Sequence, residues 1–327
     1  MLWRTGPSGS GVVMRIGLVV DSACDLPLDY LQEHGVEILP TTVRIGDAVL
    51  ADQRDPGATL QFLHAHVAQG GAGAETTPFS VEQISDLFLQ RLVIDYDYVL
   101  CMTITRTRSK IYENARQASF AILNEYRPAR AASGNNTPFA LRLIDTQSVF
   151  AGQGITAVEA VRLRAAGSTP GAIRERLEQL ALHTHAYLVP PDLQYLRART
   201  RSRGDRSVSL LSATLGTALD IQQVLHCHRG ETGPVAKLKG LDAAVGKLFE
   251  YTGRRIREGL MTPTVCLSYG GALDELHTLP GYGGLRAACE EHGIELFESV
   301  MSLTGMVNVG KGALAVGFAA EGNARFG

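Results

Sequence analysis

Apolar positions in the first half of the chain fall into short continuous runs separated by amphipathic stretches. "RIGLVV" (15–20) is apolar after its arginine and ends in Asp21 and Ser22, the pattern of a strand buried on both faces. From about Leu26 the spacing turns helical and stops at Gly35. "VEILPTTVRIGDAVL" reads as extended chain with a turn at Gly46 and Asp47, and "GATLQFLHAHVAQ" as an amphipathic helix ending at the glycine-rich "GGAGAE". Ser80 followed three residues later by Gln83 is a capping-box pattern, so it opens the helix "VEQISDLFLQRL". Two further strands, "YDYVLCMTI" and "FALRLID", each run through a polar turn into a helix. This alternation predicts an α/β fold whose N-terminal parallel sheet carries helices on both faces. Ligands of such sheets bind beyond the carboxyl ends of the strands.

The pattern shifts near Val158. Thr169 and Pro170 open the helix "GAIRERLEQLALHT", with proline preorganised for a first helical turn. Beyond it come the strand "HAYLVPP", a long helix from about Leu241 to Gly259, the strand "TVCLSYG", the helix "YGGLRAACEEHG" and the closing "ALAVGFAA". A second α/β domain is expected over 159–327, after a first over 14–158. Residues 1–13, Gly/Ser-rich and followed by Met14, read as a disordered leader.

Composition bounds the class. The chain has 327 residues, 45% hydrophobic and 20% charged, a balance expected of a soluble globular protein large enough for two domains. Five scattered cysteines form no CxxC pair, so neither a disulfide framework nor a thiolate zinc site is suggested and a reducing cytoplasm is expected. No apolar run approaches the roughly 18 residues of a membrane span, so no stable membrane insertion is expected. A formal net charge of −2 argues against a chain that is basic throughout.

The candidate chemistry lies at the strand ends. Strand one delivers Asp21 and Ser22, strand three Thr103, Thr105 and Arg106, and strand four Asp145, Thr146 and Ser148, while Thr76 and Thr77 precede the capped helix. Hydroxyls and helix N-termini suit an anion. Nucleophilic catalysis would need a base beside the hydroxyl, and these segments bring no histidine or cysteine, so no catalytic residue is assigned.

Several motifs fail on inspection. "TGMVNVGKGALAVGF" has Gly305, Gly310 and Lys311 at the spacing of a phosphate loop, but Gly312 stands where Ser or Thr should follow Lys311, and too little chain remains for the helix. "GQGITA" (152–157) matches a loose dinucleotide fingerprint without directly following its strand. Three HxH pairs occur, at His64 and His66, His183 and His185, and His226 and His228. They read as packed or solvated histidines, so no metal site is assigned. The arginines of "RARTRSRGDR", 197–206, form a basic segment that suits an acidic protein partner better than nucleic acid.

Taken in order, these segments resemble the DegV family, the fatty acid-binding subunits of bacterial fatty acid kinase. "IGLVVDSACDLP" resembles its opening "DSxxDLP", which includes Ser22. "TTPFS" is similar to "TSQPS", placing Thr76 on its threonine and Thr77 on its serine. "ITRTRSKIYENA" resembles "ISSxLSGTYQSA", with Thr105 on the first serine, Arg106 in place of the second and Ser109 on the serine before the glycine. "DLQYLRAR" and "LGTALDIQQVL" resemble "LxYLKKGGR" and "VGSLLNIKPIL", and "NVGKGALAVGF" is similar to "HTGPGALGLGF", with Asn308 where the family has histidine. The likeness runs from Met14 over nearly the whole chain.

The resemblance implies a monomeric, cytoplasmic, non-catalytic lipid carrier without a cofactor. A long-chain fatty acid would lie between the domains, its carboxylate held by Ser22, Thr76, Thr77, Thr105, Arg106, Ser109 and Asn308. A separate ATP-dependent kinase subunit would phosphorylate that carboxylate, docking on Arg199, Arg201 and Arg203. Two other readings stay open at this point: a hydrolase or transferase using a rim hydroxyl, and a nucleic-acid-binding module using Arg197 to Arg206.

Overall fold

The computed structural model describes residues 14–66, 74–202, 220–322 and 326. The expected leader, 1–13, and Arg203 lie outside them. The first half contains β1 (Ile16–Asp21), α1 (Leu28–Glu33), β2 (Val36–Leu39), β3 (Thr41–Ile45), β4 (Ala48–Asp52), α2 (Pro56–His66) and β5 (Glu75–Pro78). Then come α3 (Val81–Leu87), continued through a π-helical turn at Phe88–Leu92 into α4 (Val93–Asp95), β6 (Tyr98–Thr103), α5 (Ile111–Ala121), α6 (Tyr126–Ala132), β7 (Ala140–Asp145) and α7 (Ala151–Ala165). The second half contains α8 (Pro170–Ala181), β8 (Thr184–Val189), α9 (Leu193–Ser202), β9 (Ile221–His228), β10 (Glu231–Lys239) and α10 (Leu241–Glu258). It closes with β11 (Thr264–Tyr269), α11 (Leu273–His277), α12 (Tyr282–Glu291), β12 (Glu295–Val300), α13 (Leu303–Val309) and β13 (Leu314–Ala319).

Three sheets result. The expected parallel sheet has the order β2-β1-β6-β7, and its two inner strands are buried almost end to end, as continuous apolar runs require. The expected turn at Gly46 joins β3 to β4, and together with β5 these form a separate antiparallel sheet, β4-β3-β5. Its strands alternate buried and exposed positions, since only one face is covered. The second half is built on a mixed sheet, β10-β9-β8-β13-β11-β12, in which only β11 and β12 pair in parallel. Both helix starts read from caps are present: Ser80 and Gln83 exchange their capping-box bonds, and Thr169 accepts from the Ala172 N–H with Pro170 in the first turn.

Helix α7 lies between the parallel sheet and the mixed sheet. It packs on β1 and β6 on one side and on β8, β11 and β13 on the other, and every residue from Ala151 to Val161 is buried. Residue 158 therefore falls inside a continuous helix shared by both halves. The approach is close: a Cβ on Gly317 would stand 2.4 Å from the Ala151 carbonyl carbon, and one on Gly152 would stand 2.1 Å from Ser148 Oγ. The glycine of "GQGITA" thus allows helix and sheet to touch.

A polar clamp also crosses the halves. Arg54 pairs with Asp25 at 2.9 Å, both fully enclosed, and donates to the Val300 carbonyl at 2.9 Å. Asp25 accepts from the Ser268 hydroxyl and the Ser302 N–H, and Asp52 accepts from the N–H and hydroxyl of Thr304. Buried charges persist where they are paired and hydrogen-bonded.

Candidate functional site

Beyond the carboxyl ends of β1 and β6 lies a cavity of about 130 Å³, on a scale where one water needs about 10–15 Å³. Ile104, Val149, Phe150, Leu188, Leu196 and Leu225 supply much of its apolar wall, drawn from both halves. Phe150 has φ 50° and ψ −120°, a conformation that side chains rarely adopt, and it is held there at the N-terminus of α7. Strain of this kind gathers where a ligand site over-determines the backbone.

One part of the wall is polar. Asn308 on α13 donates to Thr76 Oγ1 on β5 at 3.4 Å and to the Thr304 carbonyl at 2.7 Å, while its Oδ1 accepts from Arg199 Nη2 on α9 at 3.3 Å. Arg199 is 4% exposed and also donates to the Ala74 carbonyl; burial lowers its pKa, most strongly among the influences on it. Three distant segments so bring an amide, a hydroxyl and a guanidinium to the cavity. Thr41, Arg108, Ser109, Thr200, Thr232 and Thr304 add further polar atoms.

Asp21 also borders the cavity. Its carboxylate accepts the Ile104 N–H at 2.6 Å, the Ala23 N–H at 2.9 Å and the Gln153 amide at 3.2 Å, so it shapes the rim. Burial pushes its pKa up to about 6 against those hydrogen bonds. A second carboxylate would be repelled here, so the Arg199 side is the more favourable one for an anion.

The expected ligand residues divide. Thr76, Ser109 and Asn308 line the cavity; Ser22, Thr77, Thr105 and Arg106 do not. The Ser22 hydroxyl is occupied by the backbone, donating to the Asp52 carbonyl at 2.5 Å and accepting the Thr41 N–H at 2.8 Å. Thr77 follows Thr76 on a strand and is exposed, because successive side chains point to opposite faces. Thr105 Oγ1 lies 3.2 Å from Thr107 Oγ1 and abuts Gly230 of the β9–β10 turn. Arg106 is exposed and pairs with Asp145 at 3.4 Å. A correction applies to the docking arginines: Arg199 faces inward, whereas Arg201 is exposed at the end of α9. The signal was in the spacing, since Leu193, Leu196, Arg199 and Thr200 share one helical face.

Lys311 is exposed and leads into β13, not into a helix, so the phosphate-loop resemblance has no structural basis. Among the described residues, no helix is long and apolar enough to cross a membrane.

Fold and cavity together define a three-sheet α/β protein with a mostly apolar recess where its halves meet, bordered by the buried Arg199 guanidinium. The chain belongs to the DegV family: the family model described as "Uncharacterised protein, DegV family" matches residues 15–321. A DegV domain-containing protein of Xanthomonas campestris pv. campestris is 68% identical over 94% of this chain and 98% of its own. The fatty acid-binding protein of Thermotoga maritima is 24% identical over 75% of this chain and 79% of its own. In three dimensions the chain resembles DegV, a fatty acid binding protein from Bacillus subtilis, with a TM-score of 0.73 at 18% identity, covering 94% of this chain and all of that one.

Proposed function

We propose that this chain binds a long-chain fatty acid in the cavity between its halves and presents the carboxylate to a separate ATP-dependent kinase for acyl phosphate formation. The observation that carries the reading is the buried Arg199 guanidinium beside Asn308 and Thr76 in an otherwise largely apolar recess. Burying an acyl chain of about fifteen methylenes contributes roughly 12 kcal/mol gross, at about 0.8 kcal/mol each. The carboxylate in turn needs donors, because an unpaired buried charge is costly. Arginine with an amide and a hydroxyl meets that need, and charge-assisted hydrogen bonds are the stronger kind. The fatty acid-binding relatives named above support the ligand class.

Presentation is supported by the position of the polar cluster. Thr76 and Asn308 are half-buried, so the head group stays within reach of a second protein, and the exposed Arg201 stands on the same helix as Arg199. Among the described residues that line the cavity there is no histidine or cysteine to serve as a base or nucleophile, which disfavours a hydrolase. The carrier itself contributes binding and orientation.

Titration with a fluorescent long-chain fatty acid tests the binding step. Arg199→Gln and Asn308→Leu are each expected to weaken it by about 1.5–3 kcal/mol, the range for a lost hydrogen bond to a charged group. Binding of the matching alcohol should change less. Equal losses for acid and alcohol would remove the head-group assignment, and saturable ATP binding lost in Lys311→Ala would restore a nucleotide site. For presentation, purified kinase subunit and ATP are added and acyl phosphate is trapped with hydroxylamine. Arg201→Glu should slow trapping without changing lipid affinity.

A further inference from the structure

On the other face of the mixed sheet, three imidazoles meet. His185 on β8 stands directly opposite His228 on β9, and His226 lies two residues from His228, on the same face of that strand. One nitrogen from each ring lies within 4.8 Å of the others, and His185 Nδ1 is 2.9 Å from His226 Nε2. Their neighbours in register, Leu188 and Leu225, point the opposite way into the cavity.

The hydrogen bonds around the cluster set the tautomers of His185 and His228. His185 Nε2 lies 3.2 Å from the Ala320 carbonyl and His228 Nδ1 lies 3.1 Å from the Thr184 carbonyl. A carbonyl only accepts, so each of these ring nitrogens carries the hydrogen. The lone pairs are therefore on His185 Nδ1 and His228 Nε2, and His226 Nε2 donates to His185 Nδ1; to ligate through Nε2, His226 moves that hydrogen to its own Nδ1. A backbone carbonyl on the far nitrogen is the usual outer-shell support of a metal-binding histidine, setting tautomer and ring orientation.

We propose that His185, His226 and His228 form a binding site for a divalent zinc ion on the sheet face opposite the lipid cavity. Zinc takes imidazole nitrogens at about 2.0–2.1 Å, which sets two tetrahedral ligands about 3.3 Å apart. The His185–His226 pair is already close to that spacing. His228 is stacked on His185 with ring centroids 4.3 Å apart and planes within 2°, so it must turn about its side-chain torsions as well as close by at most about 1.5 Å, an adjustment open to this half-buried residue. Arg255, a nearby cation, is paired with Glu258 at 3.2 Å. Three imidazoles without a carboxylate suit zinc over calcium or magnesium and leave the fourth position to water. The ion would tie β8 to β9, the two strands that carry Leu188 and Leu225 into the lipid cavity.

The test uses untagged, chelator-treated full-length protein. Calorimetric titration with zinc chloride should give one ion per chain with a Kd below about 1 µM. Cobalt should give the intense visible absorption of a tetrahedral site. His226→Ala and His228→Ala should each weaken zinc by at least about 100-fold while fatty acid binding is retained, which shows that the fold survives. His64→Ala should bind as the parent does. Absence of a stoichiometric site in the parent, or its persistence in the His226→Ala, His228→Ala double variant, would overturn the assignment.

Discussion

Asp97 shows how one residue sets a pH dependence. Its carboxylate accepts the Arg15 N–H at 3.0 Å, Arg130 Nη2 at 2.7 Å and the Thr137 hydroxyl at 2.9 Å. Burial works against its charge, but the hydrogen bonds from Arg15, Arg130 and Thr137 outweigh it and hold the carboxyl well below the usual range. The folded pKa thus lies below the unfolded value of about 3.9, so the stability it contributes is present above about pH 4 and is lost as pH falls through the folded pKa. Asp97→Asn should be less stable than the parent by about 1.5–3 kcal/mol at about pH 6, with the gap narrowing below about pH 4. Urea unfolding at the two pH values measures this, and a constant gap would show that Asp97 acts through packing. Arg199 carries a related lesson, because a guanidinium in a basic stretch faces inward when its helical neighbours are leucines.

At the scale of elements, α7 depends on how near its first turn comes to β13. The Ala151 carbonyl carbon would stand 2.4 Å from a Cβ on Gly317, and backbone on both sides cannot rotate away as a side chain would. Gly317→Ala is expected to cost at least about 1–3 kcal/mol by overpacking, with strain passed to Phe150 and hence to the cavity wall. Thermal unfolding and lipid titration of the variant should both fall, and normal lipid affinity would mean that the strained turn at Phe150 is independent of this contact. The hairpin β9–β10 shows what local pattern can carry. Arg229 and Gly230 both have positive φ, the two-residue turn that antiparallel strands favour, and "HCHRGETG" holds that signal in its central Gly230.

For the whole molecule, the Asp25–Arg54 clamp decides whether the halves behave as one unit. Removing one member of a buried pair leaves the other uncompensated, so Asp25→Ala should destabilise by about 3–5 kcal/mol. Because Arg54 also holds the Val300 carbonyl, the loss should appear as reduced cooperativity of unfolding, monitored separately on probes in each half. Unfolding that stays coincident on both probes would assign the coupling to α7 alone. That helix, enclosed by two sheets, is the reason a boundary read at residue 158 has no counterpart in local structure.

The amino-acid sequence by itself determined most of the strand, turn and helix order of the first half, though not β5 or α6, together with the caps at Ser80 and Thr169 and the ordered motifs of the DegV family. These depend on periodicity and on side chains within a few residues of one another, which a linear reading can follow. It also singled out Thr76, Ser109 and Asn308, which line the cavity. Only the tertiary structure decided that Ser22 and Thr105 face protein, that the face of α9 carrying Arg199 borders the cavity, and that His185 meets two histidines more than forty positions away. Each outcome depends on which strand lies beside which and in what register. The pairing of β8 with β9 is set by the closing of the whole sheet, a non-local choice that no short window of sequence contains.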